Sequence, residues 1–492
     1  MKKINYACII FLLILIMPVL FSCNSPENNN ANQKIQEQNN IPEEEASKTV
    51  KNEDPFAKYN DELGEYNFNG EDFKIQTFEN QNSFLRVDTE EETGDLLNDA
   101  LYKRNRTIEE RFNINIKEKL VPDFDNAKTR RVILSGDGSA FDIFIERCPD
   151  GLKNWQEGLV LSYNNIPIID LNKPYWNQSA NKTLTLGGNQ YVAIGAASLP
   201  TYQIAHALLF NKEMLKNFDL EDLYSLVREG KWTFDKMEEM MKPVINDLNG
   251  DGVMNKHDRF GYIAHPKEVL PSFWIGANVF SVGKDDKDIP YLAMGDERFM
   301  TAFIKIFELL WDSGAYFMGG GGADIPEWAI EMFANNQSLF MDTTFFAIEK
   351  MRAMETDFGI LPYPKLDEKQ ANYVSRIEYY FTTQIAVTNA DAERAGVMLE
   401  ALNSYSAKTI IPAFYDIALK TKHARDDESS EMLDLILNTL VIDIGDTTLC
   451  GEIRDAFIAN MFEKNNRNIA SQIEKTEKII QRFVNKIPIP VD

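Results

Sequence analysis

The chain has 492 residues, 44% of them hydrophobic, and a formal net charge of −25 at pH 7. So large an excess of carboxylates repels phosphate backbones, which excludes nucleic acid as a partner. Four cysteines are too few for a disulfide framework in a chain of this length.

At the N-terminus, Lys2 and Lys3 precede an apolar run from Ala7 to Phe21 and the small Ser22. This pattern reads as an export signal over residues 1–22, the apolar run being short for a bilayer span. Leu20, Phe21, Ser22 and Cys23 resemble the lipobox of bacterial lipoproteins. In those proteins the cysteine is acylated with diacylglycerol and becomes the new N-terminus. An ordinary secretory signal followed by a chance cysteine is the alternative. Residues 23–65 are rich in Asn, Gln and Glu and poor in large apolar side chains, so they read as a disordered tether. The expected location is the extracytoplasmic face of the membrane, with the chain held there by lipid on Cys23. Cys8 leaves with the signal; Cys148 and Cys450 remain, either as a disulfide or as two independent buried thiols.

The remaining body, about 420 residues, exceeds what one core accommodates, so two lobes are expected. EDFKIQTF, Glu71 to Phe78, alternates as a strand. A helix follows over LLNDALYKRNRTIEERF, then a strand over INIKEKLV, a helix over NAKTRRVILSGDGSA with a glycine-containing exit, and a strand over FDIFIE. That alternation indicates a parallel α/β lobe. The middle of the chain reads as mostly helical, with Thr233 opening a helix in WTFDKMEEMMKPVI and Gly314 ending the amphipathic helix that starts at Arg298. Gly319 to Asp324, GGGGAD, reads as a flexible linker, because no phosphate-loop lysine follows it. SLFMDTT, FGILPYP and TTQIAVT are three further strands before a helical C-terminal stretch.

DLNGDGVMNKHD, Asp247 to Asp258, places oxygen donors at Asp247, Asn249, Asp251, Asn255 and Asp258, with Gly252 at the sixth position. This is the spacing of an EF-hand loop, in which the carbonyl of Val253 also faces the ion and an all-oxygen set selects calcium. Asp258 stands where glutamate is usual, which shortens the reach. A sphere filled by protein oxygens leaves no position for an activated water, so the expected calcium is structural.

No catalytic constellation stands out. His206, His257, His265 and His423 form neither HExxH nor an i, i+4 pair, and no nucleophile elbow or phosphate loop is present. The many carboxylates read as solvated surface.

TGDLLNDALYKRNRTIEERFNINI, LNKPYWNQSA, LFNKEMLKNF, LVREGKWTFDKMEEM, DLNGDGVMNKHDRFGY and FGILPYPKLDEKQANYVS together resemble bacterial extracellular solute-binding proteins of family 1, the lipoprotein receptors of ABC importers. The resemblance implies an α/β, two-lobed periplasmic-binding-protein-like fold of type II, hinged between the lobes, with a helix-rich second lobe. The first lobe would hold residues 66–200 and 365–404. The second would hold residues 201–364 and 405–492, including the calcium loop at 247–258. It further implies binding of a small solute, an oligosaccharide, without turnover, and delivery to an ABC permease. A surface polysaccharide-processing enzyme and a calcium-dependent adhesion module are the alternatives.

In open α/β lobes ligands meet the carboxyl ends of strands. Those ends are Glu79 and Asn80, Glu146 and Arg147, and Thr344 and Phe345. Sugars present apolar faces ringed by hydroxyls, so Trp176, Trp274, Asn278 and Tyr379 complete the candidate ligand-binding set. Trp155 and Trp311, inside helical patterns, are assigned to packing.

Overall fold

Strand β1, Glu71–Phe78, buries Phe73, Ile75 and Phe78, and pairs in parallel along its whole length with β2, Ile114–Val121, from Glu71 opposite Ile114 to Phe78 opposite Val121. On its other side β1 pairs in parallel with β3, Ile143–Arg147. The helix Leu96–Phe112 connects β1 to β2 and the helix Asn126–Leu134 connects β2 to β3, as parallel crossovers require. Asp95 caps the first of these by accepting from the N–H groups of Leu97 and Asn98, and Asn113, in the left-handed region at φ 47°, ends it.

The computed structural model describes residues 54, 56–79, 86–122, 126–319, 326–348, 351, 354–419 and 427–485. The export signal, Cys23, Asn80 and most of the glycine run lie outside them, as does the tether up to Glu53; from Asp54 the expected tether is instead packed on the body, where buried Asp61 pairs with Arg111 at 2.7 Å and the carbonyl of Tyr59 accepts from Ser404 Oγ at 2.6 Å. The chain from Asp54 to Asp492 is one compact unit. No helix among the described residues is long and apolar enough to cross a membrane.

A second sheet collects β4, His206–Asn211, β5, Phe260–Ala264, β8, Tyr316–Met318, β9, Ser338–Thr344, and β10, Phe358–Leu361, in the order β10-β4-β9-β5-β8. Pairing is antiparallel for β10 with β4 and β4 with β9, and parallel for β9 with β5 and β5 with β8. Every residue of β4, β5, β9 and β10 is buried, so helices cover both faces. This explains why β4 and β5 interrupt a region whose sequence reads as helical: a strand buried on both sides shows no alternation. A hairpin of β6, Val282–Lys284, and β7, Pro290–Leu292, and a parallel pair of β11, Ser375–Arg376, and β13, Leu440–Val441, flank this sheet.

β12, Phe381–Gln384, returns to the first sheet, antiparallel to β3, giving the order β12-β3-β1-β2. Two neighbouring chain segments pass between the sheets here, and the chain returns a third time after the helix Ala392–Lys408 on its way to β13. One runs from Ser198 into β4 and the other from β11 into β12. They lie side by side, with Ala205 bridged to Ile377 in antiparallel fashion, and Thr201 Oγ1 accepts from the N–H of Phe381 at 2.9 Å. After β12, the helix Ala392–Lys408 packs on the first sheet through Val397, Met398 and Leu399, with Asn403 inside it.

Candidate functional site

A cavity of about 670 Å³ opens beside these crossings, lined mainly from the side of the first sheet. One wall is the N-terminal end of the helix Leu96–Phe112, with Asn98 and Leu101. The crossing contributes Ser198 and Gln203, and Phe346, just past β9, enters from the second sheet. Its volume lies in the range of small-molecule sites. The polar groups are largely pre-positioned: Asn98 Oδ1 accepts from Thr89 Oγ1 at 2.8 Å, and its Nδ2 donates to the carbonyl of Glu91 at 2.8 Å. Arg104 is buried and donates to the carbonyl of Val87 at 2.9 Å. Burial lowers its guanidinium to about 10, so it stays charged at neutral pH. Gln203 Oε1 is buried without a hydrogen-bond partner, although the residue lines the cavity. A buried acceptor left open in this way costs stability until a donor reaches it. The set offers amide, hydroxyl and guanidinium groups, and the carboxylates of Asp88 and Asp95, against an apolar wall, which suits a hydroxyl-bearing ligand.

Beside the crossings lies a buried ionic network. His206 Nδ1 lies 3.0 Å from Asp342, and its Nε2 lies 3.3 Å from Glu378 and 3.6 Å from Glu268. Arg376 forks onto Asp446 at 2.6 and 2.8 Å and reaches Glu268 at 2.5 Å. Arg454 joins Glu378 at 3.4 Å, Asp446 at 3.5 Å and Asp455 at 2.8 Å. Burial alone would lower the His206 imidazole, but Asp342 outweighs it and holds the group up at about 9. Burial and the neighbouring Glu378 charge push the Glu268 carboxyl up to about 7. For Glu378, burial is overcome by the bond from His206 and the Arg376 charge, so the carboxyl falls to about 2. His206, Glu268 and Glu378 bring ligand atoms within 4.8 Å of one another. Arg376 Nη1, 2.5 Å from Glu268, already supplies that carboxylate's cation, and His206 is itself charged and bound to Asp342 and Glu378, so the trio does not fit a metal.

The residues singled out in the sequence take different places. Glu79 ends β1 and is exposed. Glu146 and Arg147 end β3, but strand alternation turns Glu146 to the face opposite Ile145, and it is Ile145 that lines the cavity. Glu146 Oε1 accepts from the N–H of Arg147, its Oε2 has no partner, and burial pushes the carboxyl up to about 8. Thr344 is buried and its Oγ1 accepts from the N–H of Ala347. Phe345 is buried against Phe414, leaving its neighbour Phe346 to line the cavity. Tyr379 accepts a hydrogen bond from Arg454 at 3.1 Å and so joins the ionic network.

Trp176 and Trp274 do not converge on the large cavity. Each is a buried packing residue whose indole N–H is satisfied by a buried carboxylate: Trp176 by Glu400 at 2.9 Å, Trp274 by Asp443 at 3.0 Å. Trp176 borders instead a separate hollow of about 220 Å³ with Tyr175, Tyr202 and Phe414. Asn278, at φ 54°, is exposed just beyond the helix Pro266–Gly276 and serves the left-handed exit of that helix. Sequence reasoning passed over Asn98, Leu101, Gln203 and Phe346. The acidic helix start TGDLLND was the available signal, because a capped helix directly after a strand of a parallel sheet begins at the ligand-facing edge.

The loop from Asp247 to Asp258 is tied by its own backbone. Asp247 accepts from the N–H groups of Gly250 and Gly252, both at 2.7 Å; Asn249 accepts from Asp251; Asp251 accepts from Val253. Asp258 closes it by accepting from Leu248 at 3.0 Å and Asn255 at 2.8 Å, while Asn246 and Arg259 bridge its ends. Gly252 sits at φ 80°, the turn that only glycine makes without strain. The oxygen donor set and this backbone fit a hard cation. Asn255 Nδ2 donates to the carbonyl of Val253 at 2.7 Å, so Asn255 offers its Oδ1, which also accepts from His257.

No family model matches the sequence, and no curated protein does. Solved structures do. An ABC substrate-binding protein from Listeria monocytogenes, in complex with cycloalternan, aligns with a TM-score of 0.51 at 14% identity, covering 85% of this chain and 98% of that one. A cyclic alpha-maltosyl-1,6-maltose binding protein from Arthrobacter globiformis aligns at 0.56 and 12%, covering 84% and 98%. A cyclo/maltodextrin-binding protein complexed with maltotetraose aligns at 0.55 and 13%, covering 84% and 97%. At such identities the likeness establishes the fold: a mixed α/β chain in two lobes, built as these binding proteins are.

Proposed function

We propose that this chain is an extracytoplasmic solute-binding lipoprotein that takes up a small solute, an oligosaccharide, between its two lobes and delivers it to an ABC import permease. The observation that carries the reading is the cavity beside the crossings, lined by Ile145 and Thr383 of the first sheet, by Ser198 and Gln203 of a crossing and by Phe346 from just beyond β9. Its fold likeness to proteins named for bound oligosaccharides supports the sugar class. Binding proceeds without turnover: the lobes trap the ligand, and the permease reads the difference between open and closed surfaces. Cys23 supplies the lipid anchor. Calcium, held by Asp247, Asn249, Asp251, Val253, Asn255 and Asp258, braces the second lobe.

A thermal-shift screen of oligosaccharides and peptides on the body from Tyr66 tests this. A cognate ligand at about 100 times Kd should stabilise by about 2.7 kcal/mol and be recovered with unchanged mass. Recovery of a cleaved ligand, or stabilisation by peptides alone, would defeat the reading.

A further inference from the structure

Only two cysteines remain once Cys8 and Cys23 are set aside, and the fold brings these two together. Cys148 directly follows β3 of the first sheet and is fully buried; its Sγ reaches the carbonyl oxygen of Thr447, 299 residues away, at 3.8 Å. The backbone N–H of Cys450 donates to that same oxygen at 3.4 Å. The segment carrying Thr447 and Cys450 belongs to the second lobe: it follows β13, and Asp443 holds it there through Trp274 and Ser281. Cys148 in turn is fixed at the junction, its N–H donating to Tyr380 of the crossing at 3.0 Å, while Tyr380 Oη meets Thr448 Oγ1 at 3.3 Å. Two cysteines from distant parts of the chain, both free here, thus converge on one carbonyl at the seam between the lobes.

We propose that Cys148 and Cys450 form a disulfide that pins the two lobes beside the crossings, at the axis about which they close, a modification site set by the seam. The inference rests on the reading of the chain as an exported, closing receptor, because export places it among disulfide-forming oxidants. Burial pushes both thiols up, Cys148 more strongly, while Arg454 opposes the effect at Cys450. The half-buried Cys450 is therefore the first to react. Its thiolate attacks the disulfide of a dithiol oxidase or of oxidised glutathione, forming a mixed disulfide and releasing one thiol of the oxidant. The Cys148 thiolate then displaces the second oxidant sulfur and the Cys148–Cys450 bond closes. The two electrons end on the two oxidant sulfurs, and the two cysteine protons pass to them through solvent.

The test uses the exported full chain purified without reductant, and the same protein after treatment with oxidised glutathione. It is denatured, alkylated with iodoacetamide and mapped by mass spectrometry. The expected result is no alkylation at either cysteine, a mass lower by about 2 Da than the reduced chain, and one linked peptide pair. Amide exchange in the crossings around Ala205 and Ile377 should slow at least about tenfold on oxidation, and the difference should vanish in Cys450→Ser and in Cys148→Ala. Full alkylation of both cysteines after oxidation overturns the proposal, as does a disulfide that leaves crossing exchange unchanged. Neither readout needs a solute, so a chain that binds no oligosaccharide can still carry the bond, and a receptor that binds one can still lack it.

Discussion

His206→Gln removes the cation that Asp342 and Glu378 share at the crossing. In the folded chain the imidazole is held at about 9 against an ordinary value of 6.5, because Asp342 at 3.0 Å outweighs burial. A raised value means that the stabilisation is fully present below the unfolded value and is lost as pH climbs through the folded one. A shift of this size is worth about 3 kcal/mol, and stripping one partner from a buried ionic cluster costs about 3–5 kcal/mol. The two figures agree, so the variant should be about 3 kcal/mol less stable at about pH 6 and should converge on the parent at about pH 10. Glu268, raised to about 7, loses its own contribution as pH rises from the ordinary carboxylate range to that point. The decisive interval is therefore above it. Urea unfolding followed by tryptophan fluorescence at several pH values reads both quantities. A variant that keeps the parental slope between about pH 7.5 and 10, or that loses less than about 1 kcal/mol at pH 6, would refute the assignment of a charged His206.

Glu146→Gln should stabilise the chain at about pH 9 by about 2 kcal/mol, because a carboxyl raised to about 8 by burial costs progressively more stability as pH rises from its ordinary value through that point. Urea unfolding at about pH 5 and 9 checks it, and a loss of stability at both would count against the reasoning. Leu101→Trp should fill part of the cavity and weaken oligosaccharide binding at least about tenfold by calorimetry, while circular dichroism stays unchanged. Calcium should raise the melting temperature of the parent by several degrees and leave Asp251→Ala unmoved; an equal rise in both would place the ion elsewhere.

The parallel first sheet was open to reading from sequence because β1 and its capped, amphipathic helix carry their periods on the surface of the text. The second sheet was not: HALLFN and FGYIA are buried throughout and resemble any apolar run. The aromatic candidates failed to converge for a different reason. Nothing near Trp176 or Trp274 announces Glu400 or Asp443, since these partners lie 224 and 169 residues away. The ionic network was equally hidden, its members coming from β4, β9, β11, the helix Pro266–Gly276 and the stretch around Arg454. Glu146 was placed at the right strand end yet on the wrong side of the ribbon, an error of one residue in phase.

The side-by-side crossings behave mechanically as a leaf spring. Two ribbons joined at one rung, Ala205 to Ile377, and tied again where Thr201 accepts from Phe381, bend together about the axis lying across them more readily than they slide apart. Any excursion of one half relative to the other is thereby steered along a single arc, and the trajectory is written into the pairing before a guest arrives.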